Sequence, residues 1–330
     1  SKSLSHNYAI LIGVGDCKYP DWSLPVTVKD IQAIKSFLTN PDFCSYIDDE
    51  NHLRLLCNEQ ATKQNILNNI NWLQEQAKND PEATILVYYS GHGWLDKSTQ
   101  NYYLIPHDTS PIKLQKTQKT ALPATDFNNA LQEISAQKLL VIIDSCHAQG
   151  MATAKETDQL DLPENFSQTA LPKNLIEDLK KGTGRAVFTS STGYQLSWIR
   201  SDQTMSIYTY HLLEALQGGD NKPGDKYVTL SNLMHHVGKT VPQSAQQQGV
   251  EQTPIFDLSQ TEDFPVALLR GGKGLPEGGW EKTQPEAQEN IRNAITVQQG
   301  NAAGRDIRNI DFSGNTGKIT VTGDIGSKQN

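Results

Sequence analysis

Two residues combine a reactive side chain with a position directly after an apolar run. His92 lies in the sequence SGHG after the run from Ala83 to Tyr89, and Cys146 lies in DSCHAQG after the run from Leu139 to Ile143. A thiolate attacks an acyl carbon well, and a base within hydrogen-bond reach has to generate it. The pair therefore predicts acyl transfer, with Cys146 as the nucleophile and His92 as the base.

Glycines on both sides of the histidine supply a third component of such a site. Gly91 and Gly93 permit tight turns and leave the backbone N–H of Gly93 free to approach a substrate. Together with the N–H of Cys146, this group is predicted to form an oxyanion hole, which stabilises a tetrahedral intermediate.

Two other arrangements of the same residues remain open at this point. His147 is adjacent to Cys146 and is a competing base, but sequence neighbours usually project in different directions and would share a proton poorly. A serine nucleophile at Ser90 or Ser145 lacks the GxSxG turn that would expose its hydroxyl group.

The remaining cysteines do not indicate metal or redox chemistry. Cys17, Cys44 and Cys57 form no CxxC pair, and no Cys/His spacing is typical of a zinc site, so we interpret them as core residues. The acidic residues at 48–50 and at positions 158 and 161 lack the spacing of an EF-hand loop. The sequence thus predicts no metal site, no cofactor and no requirement for calcium.

Apolar periodicity predicts the elements that position the two residues. Buried strands are predicted at Tyr8–Val14, Leu53–Leu56, Ala83–Tyr89, Leu139–Ile143 and Ala186–Ser190. Helices are predicted at Val28–Leu38, Lys63–Ala77 after a Thr62 N-cap, Asp126–Ile134, Ile207–Leu216 and Asn232–Val241 after a Ser231 cap. Strands that alternate with helices imply a mostly parallel sheet covered on both faces, with the active site at the carboxyl ends of the strands.

Two segments differ from the rest of the chain in composition. Residues 148–184 are polar and contain prolines, which predicts a long loop with a functional role. Glycines concentrated after Arg270 predict a linker, so we divide the chain into a domain over 1–270 and a C-terminal segment over 271–330. The residues from Gly300 onward mix Gly, Asn and Asp with β-branched residues, a composition that suits either self-associating short strands or a flexible tail.

Overall composition excludes several classes of function. The chain of 330 residues has a net charge of −8 and no basic cluster beyond Lys180 and Lys181, so a phosphate backbone would repel it. No run approaches the roughly 18 apolar residues that a membrane span needs. We therefore predict no binding to nucleic acid or membranes. The N-terminus lacks the pattern of a secretion signal, which predicts a cytoplasmic location.

Taken together, the motifs resemble those of a known peptidase family. YSGHG, DSCHAQG, the strand YAILIGVG and the QTP sequence at residues 252–254 resemble the caspase-like clan, and within it the metacaspases and their bacterial relatives, the orthocaspases. The resemblance covers roughly residues 7–269, and the cysteine motif departs from the commoner DSCHSG at Ala148 and Gln149. It implies a cysteine endopeptidase with an α/β fold, a caspase-like α/β/α sandwich around a mostly parallel sheet of about six strands.

The resemblance also implies a preference for basic residues before the cleaved bond. Metacaspase-like enzymes hold Arg or Lys with acidic residues; Asp144 matches the acidic position of the cysteine motif, and Asp30 aligns with the Asp of the segment after the first strand. Two carboxylates can bond a guanidinium bidentately, which Lys copies only in part. Ser190 and Gln195 lie in SSTGYQ, which resembles the family's stretch beside the substrate. We expect cleavage after Arg, then Lys, and none after Asp.

Less specific roles for the two acidic residues remain open. Asp30 could be an exposed first-turn residue favoured by the helix dipole, and Asp144 could serve only to orient or cap its neighbours.

Basic residues within and just after residues 148–184 are candidate sites of self-processing. They are Lys155, Lys173, Lys180, Lys181 and Arg185. An enzyme specific for basic residues could cut itself there and rearrange its active site. Caspases pair through a sheet edge, whereas metacaspase-like proteins resemble monomers, and we expect a monomer.

Two other functions would use part of the same pattern. A signalling scaffold would self-associate through its C-terminal segment and use the peptidase-like domain only to dock partners, but it would have no need of Cys146 and His92. A cysteine hydrolase of small amides would share the nucleophile and would need no acidic pocket. Activity on small amides compared with Arg peptides separates the hydrolase from an endopeptidase.

Overall fold

The computed structural model describes residues 3–111, 113–151, 160–302, 310–311 and 320–321. The strands are β1 (Asn7–Gly13), β2 (Leu53–Cys57), β3 (Thr84–Ser90), β4 (His92–Asp96), β5 (Tyr102–Ile105), β6 (Leu122–Pro123), β7 (Lys138–Asp144), β8 (His147–Met151), β9 (Phe166–Gln168), β10 (Arg185–Thr189), β11 (Ser197–Ile199), β12 (Tyr227–Thr229), β13 (Ile255–Gln260), β14 (Pro265–Leu268), β15 (Ile310–Asp311) and β16 (Thr320–Val321). The helices are α1 (Pro25–Thr39), α2 (Lys63–Asn79), α3 (Leu114–Thr120), α4 (Ala124–Gln132), α5 (Lys173–Leu179), α6 (Ile207–Leu216), α7 (Leu230–Gln247) and α8 (Gly279–Ala302).

A six-stranded sheet forms the centre of the molecule, in the order β13-β10-β7-β3-β1-β2. All neighbours pair in parallel except β13, which runs antiparallel to β10. The predicted, mostly parallel sheet is confirmed, and each of the five predicted strands is present with bounds that differ by one residue at most. The sixth strand, β13, escapes the sequence pattern because its residues IFDLSQ are only partly buried at this edge.

Helices cover both faces of the sheet, and the residues of the inner strands alternate between two cores. On β1, Ala9 and Leu11 face the core formed with α1, α6, α7 and α8, whereas Ile10 and Ile12 face the core formed with α2, α4 and α5. Burial of one such aliphatic side chain stabilises the fold by about 1.5–3 kcal/mol, before the entropy cost of ordering it. The α/β/α sandwich is therefore held from both sides and gives the strand ends a fixed frame.

Helix starts were predicted correctly in one case and wrongly in another. The Thr62 side chain accepts a hydrogen bond from the Asn65 backbone N–H, as the predicted cap of α2 requires. Helix α7 begins at Leu230 rather than at residue 232, and its cap is Thr229, not Ser231. Thr229 accepts from the Asn232 backbone while the Asn232 side chain accepts from the Thr229 backbone, and this reciprocal pair outcompetes the lone serine.

Residues 148–184 are not one long loop. The described part contains β8, β9 and α5, because apolar residues within the polar composition anchor it to the core: Phe166, Leu175 and Ile176 are all buried. Residues 152–159, which include the candidate processing residue Lys155, lie outside the described part of the chain.

The C-terminal segment also differs from its prediction as a linker with a β-prone or flexible end. Helix α8 covers 279–302, and Ala287, Ile291 and Ile295 are buried on one stripe of it. A spacing of four residues between apolar side chains forms a helix face that the acidic, Gln-rich composition concealed. The two-residue strands β15 and β16 pair antiparallel, and the other residues after 302 lie outside the description. Within the described ranges, no helix is both long and apolar enough for a membrane span.

Candidate active site

The register of β3 and β7 brings the histidine and cysteine motifs side by side. The two strands are parallel neighbours, and Ser90 lies opposite Asp144 at their carboxyl ends. His92 and Cys146 each follow two residues later. The Gly91 N–H donates to the Asp144 carbonyl oxygen at 3.1 Å, so the two segments stay in contact beyond the strands.

The glycines that flank His92 are required by close packing rather than by an unusual backbone conformation. A Cβ atom on Gly91 would lie 2.7 Å from the Tyr89 hydroxyl oxygen, and one on Gly93 would meet Tyr102 and lie 2.8 Å from the Ser145 Cβ. The backbone of Gly93 therefore runs against the residue that precedes Cys146. This proximity suits the predicted oxyanion hole, which stays a prediction.

The His92 ring is buried and has one nitrogen committed to the backbone. Nε2 lies 2.8 Å from the Trp22 carbonyl oxygen, and because a carbonyl only accepts, Nε2 carries the proton. The other nitrogen, Nδ1, is buried without a hydrogen-bond partner among the described residues. Burial lowers the pKa of His92 to about 3, so the ring is neutral and Nδ1 holds a lone pair.

Cys146 is fully buried in an uncommon backbone conformation. Its φ angle is 67°, in the left-handed region that costs a non-glycine residue about 1–3 kcal/mol. The surrounding chain fixes this conformation, because the Cys146 carbonyl accepts from the Ser197 N–H at 3.0 Å and β8 pairs with β11 directly afterwards. Burial, followed by the charge of Asp144, raises the pKa of the Cys146 thiol. Thiol and imidazole are both neutral in this conformation.

The two residues are also closed to solvent, since His92 is 1% exposed and Cys146 is 0% exposed. Trp22, which holds His92, packs edge-on against Trp94 at 4.7 Å between ring centroids. Its Nε1 donates to the Asp161 carbonyl at 3.2 Å. The segment that follows residues 152–159 is thus tied to the residue that orients the histidine.

The alternative base and nucleophiles are engaged in other hydrogen bonds. His147 Nε2 lies 2.9 Å from Ser90 Oγ and 3.5 Å from Asp144, while its Nδ1 has no partner in the described structure. Ser90 and Asp144 both face Nε2, so Asp144 cannot orient the ring through the opposite nitrogen, as a Ser-His-Asp triad requires. Ser145 donates to the Tyr102 hydroxyl at 2.9 Å, because that hydroxyl itself donates to a carbonyl.

Two fully buried carboxylates lie next to the cysteine motif. Asp30 accepts hydrogen bonds from the Ser206 backbone N–H at 3.0 Å and from the Ser206 hydroxyl at 2.5 Å. Neither oxygen of Asp144 has a hydrogen-bond partner among the residues described. Burial and, second, the charge of Asp144 raise the pKa of Asp30 to about 8. Asp30 is 0% exposed, which rules out its interpretation as an exposed first-turn residue.

Further buried polar atoms near these carboxylates lack partners in the described structure. They are the hydroxyl groups of Ser190, Ser191 and Tyr208. Burial and the charge of Asp144 raise the pKa of Tyr208, which indicates that this ring lies close to the carboxylate. An unsatisfied buried polar group costs about 1–3 kcal/mol, so these hydroxyl groups are candidates to contact a polar ligand.

Gln195 has a different environment from the other predicted substrate-binding residues. Its amide oxygen accepts from the Thr253 N–H at 2.7 Å and its amide nitrogen lies 3.2 Å from the Thr253 hydroxyl. Gln195 therefore anchors the QTP sequence. Gln252 of that sequence donates to the Ser190 carbonyl at 2.9 Å and accepts from the Trp198 N–H, so it holds the segment beside the carboxylates.

The basic processing candidates occupy distinct positions. Lys173 begins α5, and Lys180 and Lys181 follow its end; Lys180 pairs with Glu177 and Asp257, whereas Lys181 is exposed. The prediction of Arg185 as a processing site is corrected, because this residue is buried in β10 of the central sheet. Its guanidinium donates to the carbonyls of Leu131, Gln132 and Ile134, and a peptide bond inside a paired strand is out of reach of a protease.

Sequence reasoning missed three residues that shape the site. Trp22, Ser206 and Tyr208 come from a short 3₁₀ helix and from the start of α6, and no local pattern marks them. Their roles arise from contacts with residues 70 and 176 positions away, which only the folded chain reveals.

Comparison with known proteins places these features in context. A family model described as "Caspase domain" matches residues 6–265. Among solved structures, the crystal structure of caspase-1 from Spodoptera frugiperda is similar, with a TM-score of 0.45 and 17% identity over 82% of this chain and 90% of that one. A search of curated proteins found no match.

Proposed function

Since the chain belongs to the caspase-domain family of cysteine peptidases, we propose that it is an endopeptidase that cleaves after Arg and, less readily, after Lys. Cys146 is the nucleophile and His92 the general base. The observation that carries this proposal is the state of His92, whose Nε2–H is donated to Trp22 while its buried Nδ1 keeps a free lone pair.

In the proposed mechanism, protons pass between Cys146, His92 and the reactants, and both residues return to their starting protonation states. Nδ1 takes the thiol proton of Cys146 as sulfur attacks the peptide carbonyl, and the oxyanion is stabilised by the backbone N–H groups of Gly93 and Cys146. The imidazolium then protonates the leaving amine, which breaks the peptide bond and leaves an acyl-enzyme. Water attacks this thioester and gives a proton to Nδ1; the C–S bond then breaks, the carboxylic acid product leaves, and the imidazolium returns the proton to the sulfur. No step needs a metal ion.

The preference for Arg is supported by the two buried carboxylates. Asp144 has two oxygens without hydrogen-bond donors among the described residues, and a guanidinium presents several N–H donors in a planar fork that matches a carboxylate. The Ser190 hydroxyl is a further acceptor without a partner there. A lysine ammonium would satisfy fewer of these atoms, and an Asp side chain would be repelled.

Self-processing is part of the same proposal and is supported by the closed state of the site. A thiol of raised pKa and a histidine of lowered pKa, both shielded from solvent, describe a resting enzyme. Cleavage at Lys155 would create a chain end six residues before Asp161, whose carbonyl accepts from Trp22, and Lys173, Lys180 and Lys181 are the other candidate cut sites. Denaturing mass spectrometry should find two fragments that are missing from Cys146→Ala, and a wild type that is intact yet fully active would refute this part.

The test of the whole proposal is hydrolysis of fluorogenic peptides that end in Arg, Lys or Asp, measured with EDTA and with calcium. Wild type should release the fluorophore after Arg faster than after Lys and not after Asp, in both solutions. Cys146→Ala should be inactive, while Cys57→Ala, which removes another buried thiol, should keep its activity.

Other outcomes point to the remaining functions. A processed but silent chain would favour the signalling scaffold. Hydrolysis of small amides without a preference for Arg peptides would favour the amide hydrolase.

A further inference from the structure

A second cluster of buried ionisable side chains lies on helices α6 and α7. His211 and Glu214 are one turn apart on α6, and His236 lies on α7. His211 Nδ1 lies 2.5 Å and His236 Nε2 lies 3.1 Å from the same oxygen, Glu214 Oε1. All three side chains are buried, and their nearest ligand atoms lie within 4.8 Å of one another.

We propose that this cluster binds a divalent transition-metal ion, with Zn²⁺ the best chemical match, through His211 Nδ1, His236 Nε2 and the Glu214 carboxylate. Two imidazole nitrogens with one carboxylate oxygen form a donor set typical of zinc. Tetrahedral bonds of about 2.0–2.1 Å separate ligand atoms by about 3.3 Å. The present separations from Glu214 need to open by less than about 1 Å, which side-chain rotation can supply.

The groups behind the ligands already hold them in this orientation. His211 Nε2 lies 2.6 Å from the Ser244 hydroxyl, and Gln288 Nε2 donates to Glu214 Oε2 at 3.4 Å. Partners of this kind fix the ring orientation of metal-binding histidines. When the ion replaces the proton on His211 Nδ1, that proton moves to Nε2 of the same ring. The Ser244 hydroxyl, which can donate or accept, then accepts a hydrogen bond from the Nε2–H group.

The position of the cluster gives the ion a role in holding three helices together. Gln288 and Trp280 belong to α8, and the Trp280 ring centroid lies 5.5 Å from that of His236. An ion bound by α6 and α7 under this contact would fasten α8 to the domain. Trp280 would also report on the ion, because a paramagnetic metal nearby quenches tryptophan fluorescence.

No motif in the sequence indicates this site, and the proposal revises the prediction of no metal. That prediction rested on cysteine spacing and EF-hand loops, whereas the ligands here are His-x-x-Glu on one helix and a histidine 22 positions later. The role is structural and independent of the peptidase proposal, whose chemistry uses no metal.

The test uses the 330-residue chain with Cys146→Ala, which prevents self-cleavage and removes the active-site thiol as a competing zinc ligand. Titration calorimetry with ZnCl₂ should show one bound ion and a higher melting temperature. His211→Gln and His236→Gln should each weaken binding by about 100-fold or more. The matched control is His6→Gln, which alters an exposed cluster with Asp80 and Glu82 and should leave the affinity unchanged.

Two further measurements keep the test decisive if a histidine variant fails to fold. Co²⁺ should give the visible absorption bands of a tetrahedral site and quench a fluorescence component that Trp280→Phe lacks. Ser244→Ala keeps all three ligands and should weaken binding about 10-fold. Absence of zinc binding, or Co²⁺ binding that leaves the Trp280 fluorescence unquenched, would overturn the proposal and leave the cluster as a hydrogen-bond network.

Discussion

Two sites with buried carboxylates lie at opposite ends of helix α6, and they differ in the hydrogen bonds that their carboxylate oxygens accept. Helix α6 begins beside Ser206, which donates twice to Asp30, and it carries Glu214 near its other end. Burial and the charge of Asp144 raise the pKa of Asp30 to about 8, whereas two histidines overcome burial and lower the pKa of Glu214 to about 2.

The difference separates a carboxylate whose oxygens have no hydrogen-bond donor among the described residues from one whose donors are protein side chains. Glu214 receives both imidazoles and an amide, while the oxygens of Asp144 receive no hydrogen bond within the described structure. A buried carboxylate without hydrogen-bond partners destabilises the fold, and ionisable groups of this kind are concentrated at functional sites. The lack of hydrogen-bond partners thus distinguishes the proposed substrate pocket from the Glu214 cluster better than burial does.

The largest effect should come from Cys146 and His92, which lie beside the buried groups that lack hydrogen-bond partners. We expect Cys146→Ser and His92→Gln each to lower kcat/KM for an Arg peptide by about 10³-fold or more, because each removes one half of the proton path. His147→Gln is the matched control, since it removes the neighbouring imidazole, and it should cost much less. An equal loss in all three variants would assign the base to both histidines.

Asp144→Asn should have opposite effects on catalysis and stability. We expect kcat/KM for Arg peptides to fall about 100-fold, mostly through KM, because the guanidinium loses its bidentate partner. The melting temperature should hold or rise, since a buried carboxylate whose oxygens have no hydrogen-bond partner in the described structure becomes a neutral amide. Asp126→Asn, an exposed change on α4, is the control. Unchanged cleavage of Arg peptides would show that the pocket assignment is wrong.

Glu214→Gln should behave in the reverse way, with a loss of stability. The pKa of Glu214 is lower in the folded chain than its usual 4.5, so its stabilisation is present above about pH 4.5 and is lost as pH falls towards 2. The shift corresponds to about 3 kcal/mol. The free energy of unfolding in urea is to be measured at pH 7 and pH 3 for the Cys146→Ala chain with Glu214 and with Glu214→Gln. An equal decrease from pH 7 to pH 3 in the two chains would contradict the prediction.

The smallest effect concerns the ionisation of Asp30. Because its pKa is raised to about 8, Asp30 is mostly protonated at pH 7 and attracts a guanidinium only as it ionises. The wild-type kcat/KM on an Arg peptide, divided by that of Asp30→Asn, should rise about 5- to 10-fold between pH 7 and 8.5. The ratio cancels the titration of the catalytic residues. A flat ratio would mean that Asp30 does not meet the substrate's charge.

Sequence alone predicted the parts of the molecule that depend on local pattern. The five predicted strands are short, mostly apolar runs, and the motifs at His92 and Cys146 follow two of them, so their meeting at one edge needed only the rule for parallel sheets. Helix α8 was missed because its apolar stripe of Ala287, Ile291 and Ile295 lies in a polar, Gln-rich stretch.

The partners of the site residues could not be predicted in this way. Trp22 with His92, Ser206 with Asp30 and His236 with Glu214 are pairs between distant segments, and nothing in their local sequences distinguishes them from ordinary surface or core residues. Their contacts depend on how loops and helices pack, which propensity and periodicity do not encode.

The strand order has a consequence for a chain that is cut between residues 151 and 160. Of the central sheet, the first fragment would contain β2, β1, β3 and β7, and the second would contain β10 and β13. Within this sheet the fragments are joined only by the β7–β10 ladder of five residue pairs. The β4–β9 and β8–β11 ladders also join the fragments. A nicked protein would run as two bands on a denaturing gel and as one particle in native conditions, held together without a covalent link.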